Sequence, residues 1–426
     1  MFGSNQIIMP REEYIAGLDI GSTAVRMAVG QYMAGERAGV HIVGVTETPS
    51  EGISKGVITS LEDAVSSVSG CLEQTERMTG IPIRRVWVGI SGSHILSQES
   101  KGVVGVSRTD GEIREEDVMR AIEAARMVAT PPNYEILHVL PRTFTVDGQS
   151  GVKDPVGMTG IRLEVDTQIV QGLSSQMKNL TKCVFRAGLE IDDVVYGALA
   201  SALAVTTPRQ KELGVLVVNM GGATTSLAVF EEGDVLHASV LPIGSQHITS
   251  DIAIGLRTSI EVAERVKIEY GSCRPAEFAR GDQIDMASLG GDTPELVNRR
   301  YVAEIIEARV EEIFVRIERD LKKIARDGML PAGIIFTGGG AKLSGIVEFA
   351  KKKLRLPASL GYPIGVQSVV EKASEAGCST AVGLVLWGAE VRNRETPHGW
   401  GRNFGATAPV GKAADQVRRW FKSLLP

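Results

Sequence analysis

One short pattern occurs twice in this chain and constrains its fold more than any other feature. Gly17-Leu18-Asp19-Ile20-Gly21-Ser22-Thr23-Ala24-Val25-Arg26-Met27-Ala28-Val29 reads as strand, tight turn, strand, and Val217-Val218-Asn219-Met220-Gly221-Gly222-Ala223-Thr224-Thr225-Ser226-Leu227-Ala228-Val229 reads the same way. With Asn219 set on Asp19, Gly221 falls on Gly21, Ala228 on Ala28 and Val229 on Val29. Glycine and hydroxyl residues in a turn after a strand let the backbone approach an anion and add hydrogen bonds to it. One such turn alone is most simply a structural β-turn. Two in repeat point to two related halves, each offering backbone N–H groups to one phosphate chain, with a nucleotide clamped between them.

The chain has 426 residues, room for two to four domains, and its 43% hydrophobic and 23% charged fractions are those of a globular protein. A formal net charge of −5 argues against a general nucleic-acid binder. Cys71, Cys183, Cys273 and Cys378 form no C-x-x-C pair and read as reduced thiols of a cytosolic protein. Residues 1–11 show no export signal, and no apolar run approaches the roughly 20 residues that span a bilayer.

Along the chain, Leu61, Val65, Val68 and Leu72 predict a helix over 61–79, followed by a buried strand over 85–90. The texture changes from 91 to about 170: strands are expected at 102–106, 136–140 and 142–146, a helix at 114–127, and Gly/Pro punctuation over 147–160. This stretch reads as an inserted α+β module. The second half carries its hairpin over 215–230, helices over 249–254, 259–270 and 294–327, and a strand over 332–336. That strand enters a third turn, Thr337-Gly338-Gly339-Gly340, followed by a helix expected from about Leu343. The turn is neither a Walker A loop nor a G-x-G-x-x-G fingerprint, but a helix N-terminus behind flat glycines suits an anion or a nucleobase. A small-residue helix is expected at 379–389.

Two hairpin turns in repeat and a later Gly-rich strand–helix turn resemble the actin, sugar kinase and DnaK-type superfamily. There the hairpins hold the phosphates and the third turn holds the adenosine. Glu261-x-x-Glu264-x-x-Lys267-x-x-Tyr270-Gly271 resembles the bacterial actin helix whose Glu and Lys line the nucleoside; outside that context the pair would be a solvated i, i+3 ion pair. The inserted module narrows the resemblance to the FtsA family. Its strings are Val88-Gly89-Ile90-Ser91-Gly92-Ser93-His94-Ile95, Ile136-Leu137-His138-Val139-Leu140-Pro141, Phe144-x-Val146-Asp147-Gly148-Gln149, and Asp154-Pro155-Val156-Gly157-Met158-x-Gly160-x-Arg162-Leu163-Glu164. His94 and His138 have no carboxylate or Cys constellation around them and read as structural.

That resemblance implies an α/β chain with a two-domain actin-like fold of duplicated RNase H-like βββαβα domains, and an FtsA-type 1C α+β insertion in place of actin subdomain 1B. The implied spans are 12–91 with 172–205 for subdomain 1A, 92–171 for 1C, 206–255 with 330–391 for 2A, and 256–329 for 2B. A flexible linker over 392–411 and an amphipathic membrane-targeting helix over 412–426 complete the chain. ATP with Mg²⁺ is the implied ligand. The implied contacts are Asp19, Gly21, Ser22 and Thr23, then Asn219, Gly221, Gly222, Ala223, Thr224 and Thr225, then Glu264 and Lys267, and finally Gly338, Gly339, Gly340 and Lys342, with Asp19 reaching the metal through water. No catalytic residue is assigned. Implied partners are the C-terminal peptide of the tubulin-like FtsZ on subdomain 2B, other copies of the chain in a dimer or filament, and later division proteins on 1C. Candidates for the FtsZ contact are Arg299, Arg300, Arg309 and Glu312.

The tail can be read without the family. Val417, Trp420, Phe421 and Leu424 recur on one helical face, ending at Leu425, with Lys412, Arg418, Arg419 and Lys422 beside them. This suits a helix lying in the interface of an anionic membrane after the Gly/Pro-rich linker. Each cation contributes about 1 kcal/mol near such a surface, and each large apolar side chain about 1.5–3 kcal/mol at full burial. Immobilisation offsets part of this, so one helix binds reversibly and several on a polymer bind tightly. The implied location is the cytoplasmic side of the inner membrane at the division septum.

Three departures bear on the chemistry. The Lys usual after the first Ser/Thr turn is Ala24, with Arg26 two residues on. The second hairpin has Asn219 and Ser226 where the family pattern has Asp. The expectation is a protein that binds ATP and hydrolyses it slowly at most. A pilus-assembly scaffold of the PilM type and a sugar-kinase-type phosphotransferase are the alternative readings.

Overall fold

The computed structural model describes residues 14–33, 39–128, 130–291 and 296–395. The linker beyond 395 and the tail residues Val417 to Leu425 lie outside the described residues. The first hairpin is β1 (Tyr14–Ile20) and β2 (Ala24–Met33), antiparallel with Asp19 opposite Arg26, extended by β3 (Gly39–Pro49). A minimal hairpin of β4 (Ile53–Ser54) and β5 (Val57–Ile58) leads to α1 (Leu61–Thr79). The buried stripe of α1 is Ala64, Val68, Cys71 and Thr75, with Leu61, Val65 and Leu72 only partly buried beside it. Small residues bring this helix close against the sheet, and larger ones seal its flanks. β6 (Arg85–Ile90) then joins β1 in parallel.

The insertion is a four-stranded antiparallel sheet with one helix over it. Its elements are β7 (Ile95–Gly105), α2 (Glu115–Val128), β8 (Tyr134–Val146), β9 (Gln149–Val152) and β10 (Arg162–Leu173), in sheet order β7-β10-β8-β9. Val118, Ala121, Ile122 and Ala125 of α2 meet Val139, Phe144 and Val165 in a core of the insertion's own. The two strands expected at 136–140 and 142–146 are one, because Pro141, lacking an N–H, sits where the ladder with β10 shifts register and leaves Arg142 unmatched.

The chain returns to the first lobe through α3 (Ser174–Arg186), β11 (Glu190–Tyr196) and α4 (Gly197–Val205). α5 (Pro208–Leu213), opened by a Thr207/Gln210 capping box, leads to the second lobe. There β12 (Val215–Met220), β13 (Thr225–Glu231) and β14 (Asp234–Leu241) repeat the opening three-stranded meander. α6 (Ser245–Leu256), α7 (Ile260–Tyr270), β15 (Gln283–Asp285), β16 (Leu296–Asn298) and α8 (Arg299–Lys323) follow. β17 (Gly333–Thr337), α9 (Ile346–Leu354) and β18 (Ala358–Leu360) complete the second sheet, ordered β14-β13-β12-β17-β18.

The span 330–391, expected in one piece in the second lobe, divides. β19 (Val366–Ser368) pairs in parallel with β3, and α10 (Ser379–Glu395) lies on the first sheet. α10 packs against α4, which faces the second sheet, so this helix pair fills the space between the lobes. α4 is buried on nearly every side, as its uniformly apolar sequence requires.

His94 and His138 lie in the seams of the insertion. His138 Nε2 accepts the Tyr196 N–H at 2.9 Å, and its ring lies 5.6 Å from that of Trp387. Both ring nitrogens of His94 are buried without a hydrogen-bond partner among the described residues. Burial pushes both imidazoles down to about 4 from the usual 6.5. The unfolded chain takes up protons below about pH 6.5 while these folded histidines stay neutral until about 4. Stability contributed by the two neutral rings is therefore present above 6.5 and is lost as pH falls toward 4. His94→Phe is expected to flatten the fall in urea midpoint across that window; an unchanged slope would show that His94 does not titrate with unfolding.

Candidate functional site

The two hairpin turns face each other across a narrow polar cleft. Gly21 N–H donates to Ala24 O at 3.1 Å and Gly221 N–H donates to Thr224 O at 2.9 Å, so both turns close in the same way. The middle residues Ser22, Thr23, Gly222 and Ala223 donate their N–H groups to no carbonyl among the described residues. Gly222 has no side chain because Thr23 of the opposite turn occupies that space; a Cβ there would strike the Thr23 methyl. The repeat thus places one turn directly against the other.

Asp19, Gly21, Ser22, Thr23, Asn219, Gly221, Gly222, Ala223, Thr224, Gly338 and Gly339 line this cleft together. Thr225 does not: it is fully buried and its hydroxyl donates to Ile243 O at 2.7 Å. Gly340 is tucked behind the third turn, where a Cβ would come 2.7 Å from Met220 Cγ and 3.1 Å from Ser245 Cβ. Lys267 Nζ lies 2.6 Å from Glu264 and also donates to Thr249 Oγ1 at 2.8 Å and Ser245 O at 3.4 Å. The pair therefore meets Ser245, whose N–H donates to Gly221 O at 2.9 Å and whose side chain lies against Gly340 of the third turn. Lys342 is exposed and paired with Glu375.

The helix expected to start at Leu343 and present its N-terminus to the cleft does not do so. Gly339–Lys342 forms a 3₁₀ turn and α9 begins only at Ile346. The helix start that reaches the cleft belongs to α10, whose Thr380 lines it together with Gly377 just upstream. Sequence reading also missed Arg26, Gly56, Ser91 and Ser226 as lining residues. Arg26 had a local signal: on a strand it shares a face with Ala24. Gly377 and Thr380 had none, since only the returning chain brings them here.

Asp19 is the sole carboxylate among the described lining residues. Burial pushes its carboxyl up to about 6, against the pull of Arg26. Asn219, at the matching place in the second turn, donates its amide to Ser201 Oγ at 2.8 Å and Thr380 Oγ1 at 3.0 Å. It ties the second lobe to both interlobe helices. Arg26 Nη2 lies 3.2 Å from Glu47, while its Nε is buried without a partner among the described residues. Unused turn amides and an orphaned guanidinium N–H fit a polyphosphate, and a single carboxylate beside them fits a magnesium ion held mainly by phosphate oxygens and water.

Among the candidates on the second lobe, Arg299 is committed internally. Its guanidinium lies 4.3 Å from the Phe278 ring and 5.7 Å from that of Tyr270, and its Nε donates to Tyr270 O. Arg309 is held by Asp251 and Glu312, and Glu312 also pairs with Arg316. Arg300 pairs at 3.2 Å with Glu304 on the exposed helix face, next to exposed Tyr301.

Two duplicated lobes, glycine turns meeting across a cleft and a separately cored insertion define an actin-like protein carrying an inserted α+β domain. Solved structures share this fold. The PilM–PilN type IV pilus biogenesis complex superposes with a TM-score of 0.64 and 17% identity over 89% of this chain and 99% of that one. MreB5 of Spiroplasma citri bound to ADP superposes with a TM-score of 0.53 and 14% identity over 91% and 100%. Those likenesses are of fold alone. Within the class, residues 92–171 match the SHS2 domain inserted in FTSA and residues 216–383 match the family described as cell division protein FtsA. The chain is 36% identical to the FtsA of Pseudomonas aeruginosa over 410 residues, covering 96% of this chain and 97% of that protein. It is 37% identical to the FtsA of Bacillus subtilis over 361 residues (84% and 81%) and 32% identical to that of Escherichia coli K12 over 423 residues (96% and 97%). The chain belongs to the FtsA family of cell division proteins.

Proposed function

We propose that this chain binds ATP in the cleft between its lobes, self-associates, and tethers FtsZ filaments to the inner face of the cytoplasmic membrane through its C-terminal helix. The observation that carries the reading is the end-to-end family likeness, which covers 96% of the chain in the Pseudomonas relative. Three features of the chain support its parts. The hairpin turns meet with unused amides, and Asp19 lines the same cleft, where it would reach a phosphate-held magnesium ion through water. The second lobe exposes Ile254 and Tyr301 beside Arg257 and Arg300, an apolar and cationic surface suited to a partly acidic, partly apolar FtsZ peptide. The tail pattern of Val417, Trp420, Phe421 and Leu424 with flanking cations suits an anionic bilayer. None of the described helices is long and apolar enough to cross a membrane.

Sedimentation with anionic vesicles tests the tether as a whole. FtsZ should pellet with vesicles only when this chain is present and only when FtsZ keeps its C-terminal peptide. Trp420→Glu should leave both proteins in the supernatant, because it removes roughly 1.5–3 kcal/mol of burial and adds like charge facing the lipid. Unchanged pelleting of the variant would reject the tail as the anchor.

A further inference from the structure

We propose that the insertion is a strap across the two lobes, latched by Lys153 onto the β13–β14 turn, so that opening the cleft and releasing the insertion are coupled. The inference rests on the ATP reading above and concerns what regulates occupancy of that cleft.

The insertion leaves and re-enters the chain in the first lobe, yet it touches the second. Its strands β7, β8 and β10 pack on β14. One apolar cluster holds Leu137, Leu140 and Val170 of the insertion together with Ala238 of β14. A polar route runs beside it. His138 accepts the Tyr196 N–H at 2.9 Å, and the buried Tyr196 hydroxyl donates to Ser239 O of β14 at 2.7 Å.

Lys153, just after β9, closes the strap. Its Nζ lies 2.6 Å from Asp234 Oδ2 and 3.3 Å from Glu232 Oε2, and it donates to Glu232 O at 3.3 Å. Among the described residues these are the only ion pairs between the insertion and the second lobe. An exposed pair contributes little, but the Asp234 side chain is only 16% exposed. Burial raises its carboxyl above the ordinary value, against the pull of Lys153. Drawing Lys153 away therefore strands a desolvated carboxylate. The turn cannot follow the lysine, because it is held from two other sides. Arg326 forks onto Glu231 at 2.9 and 2.8 Å, and the N–H groups of Glu232 and Gly233 donate to Glu212 O and Lys211 O of α5.

The direction of the coupling follows from the cleft. With the latch made, the two phosphate turns touch at Thr23 and Gly222. A latched insertion thus favours the closed cleft, and by linkage a ligand that closes the cleft tightens the latch.

Calorimetric titration of ATP with magnesium into the full chain, joined to hydrogen exchange over residues 147–160, tests this. Lys153→Glu, which sets like charges against Glu232 and Asp234, should weaken ATP binding about fivefold or more. Lys153→Glu combined with Asp234→Lys, which restores an opposite pair, should recover most of that loss. Lys101→Glu, the same charge change at a lysine paired within the insertion, should bind ATP as the parent does. ATP should slow exchange over 147–160 about fivefold in the parent and leave it unchanged in Lys153→Glu. Lys153→Met carries the test if Lys153→Glu fails to fold by circular dichroism. A folded Lys153 variant with parental ATP affinity overturns the inference, as does exchange over 147–160 that ignores bound ATP in the parent. A loss that the charge swap does not recover, or that Lys101→Glu shares, overturns it too. No binding of ATP by the parent overturns the ATP reading and this inference with it.

Discussion

Replacing Gly383 with valine is expected to cost at least about 3 kcal/mol of stability, the upper range for overpacking a core. A Cβ at Gly383 would land on the carbonyl oxygen of Ala200, far inside van der Waals contact. Here α10 and α4 touch backbone to backbone, and the same helix presses on the first sheet where a Cβ at Gly17 would meet Ala381 O. α10 cannot retreat, because Ala381, Val382, Leu384 and Val385 are all buried against that sheet. The added methyls must therefore push the lobes apart or tilt the helix, opening the cleft at Thr380 and Asn219. The urea midpoint should fall with little change in slope. A variant as stable as the parent would show that the helix pair does not clamp the lobes.

Asn219→Asp is expected to raise steady-state phosphate release from ATP by roughly tenfold, equivalent to about 1.4 kcal/mol of transition-state stabilisation. The substitution puts a second carboxylate opposite Asp19, which strengthens the hold on a divalent cation. It also removes two amide donations, to Ser201 and Thr380, and sets a second negative charge in a buried cleft. The ligand-free variant should therefore melt below the parent at neutral pH, by about 1–3 kcal/mol of lost stability, and recover as acid neutralises the added group. Phosphate release at the parental rate, with ATP still bound in magnesium, would show that this amide is not what limits turnover.

Much of the cleft was legible because its turns are local. Gly21-Ser22-Thr23 and Gly221-Gly222-Ala223 carry their conformational demand in adjacent residues, and the flanking strands are short, nearly continuous apolar runs buried on both faces. Thr225 misled for the same reason: it continues the hydroxyl run, yet strand alternation turns it into the core, where it bonds Ile243 O. Pro141 read as a strand break because a proline lacks the ladder donor, whereas a register shift absorbs it within β8. Arg299 looked available to a partner because its charge is visible in sequence, while the rings of Phe278 and Tyr270 that cover it are not.

By itself the sequence determined the repeat, the apolar strands that build it, the inserted module and the basic, apolar tail pattern. These depend on residues within a few positions of one another, where side-chain period and turn chemistry decide the outcome. Only the tertiary structure decided that the last helix returns to the first lobe, that its start rather than that of α9 meets the cleft, and that Asn219 bonds Thr380, 161 residues away. It also set Arg26 between Glu47 and an open cleft. Such contacts arise where the chain crosses back on itself, and no local pattern records which distant residue a crossing delivers.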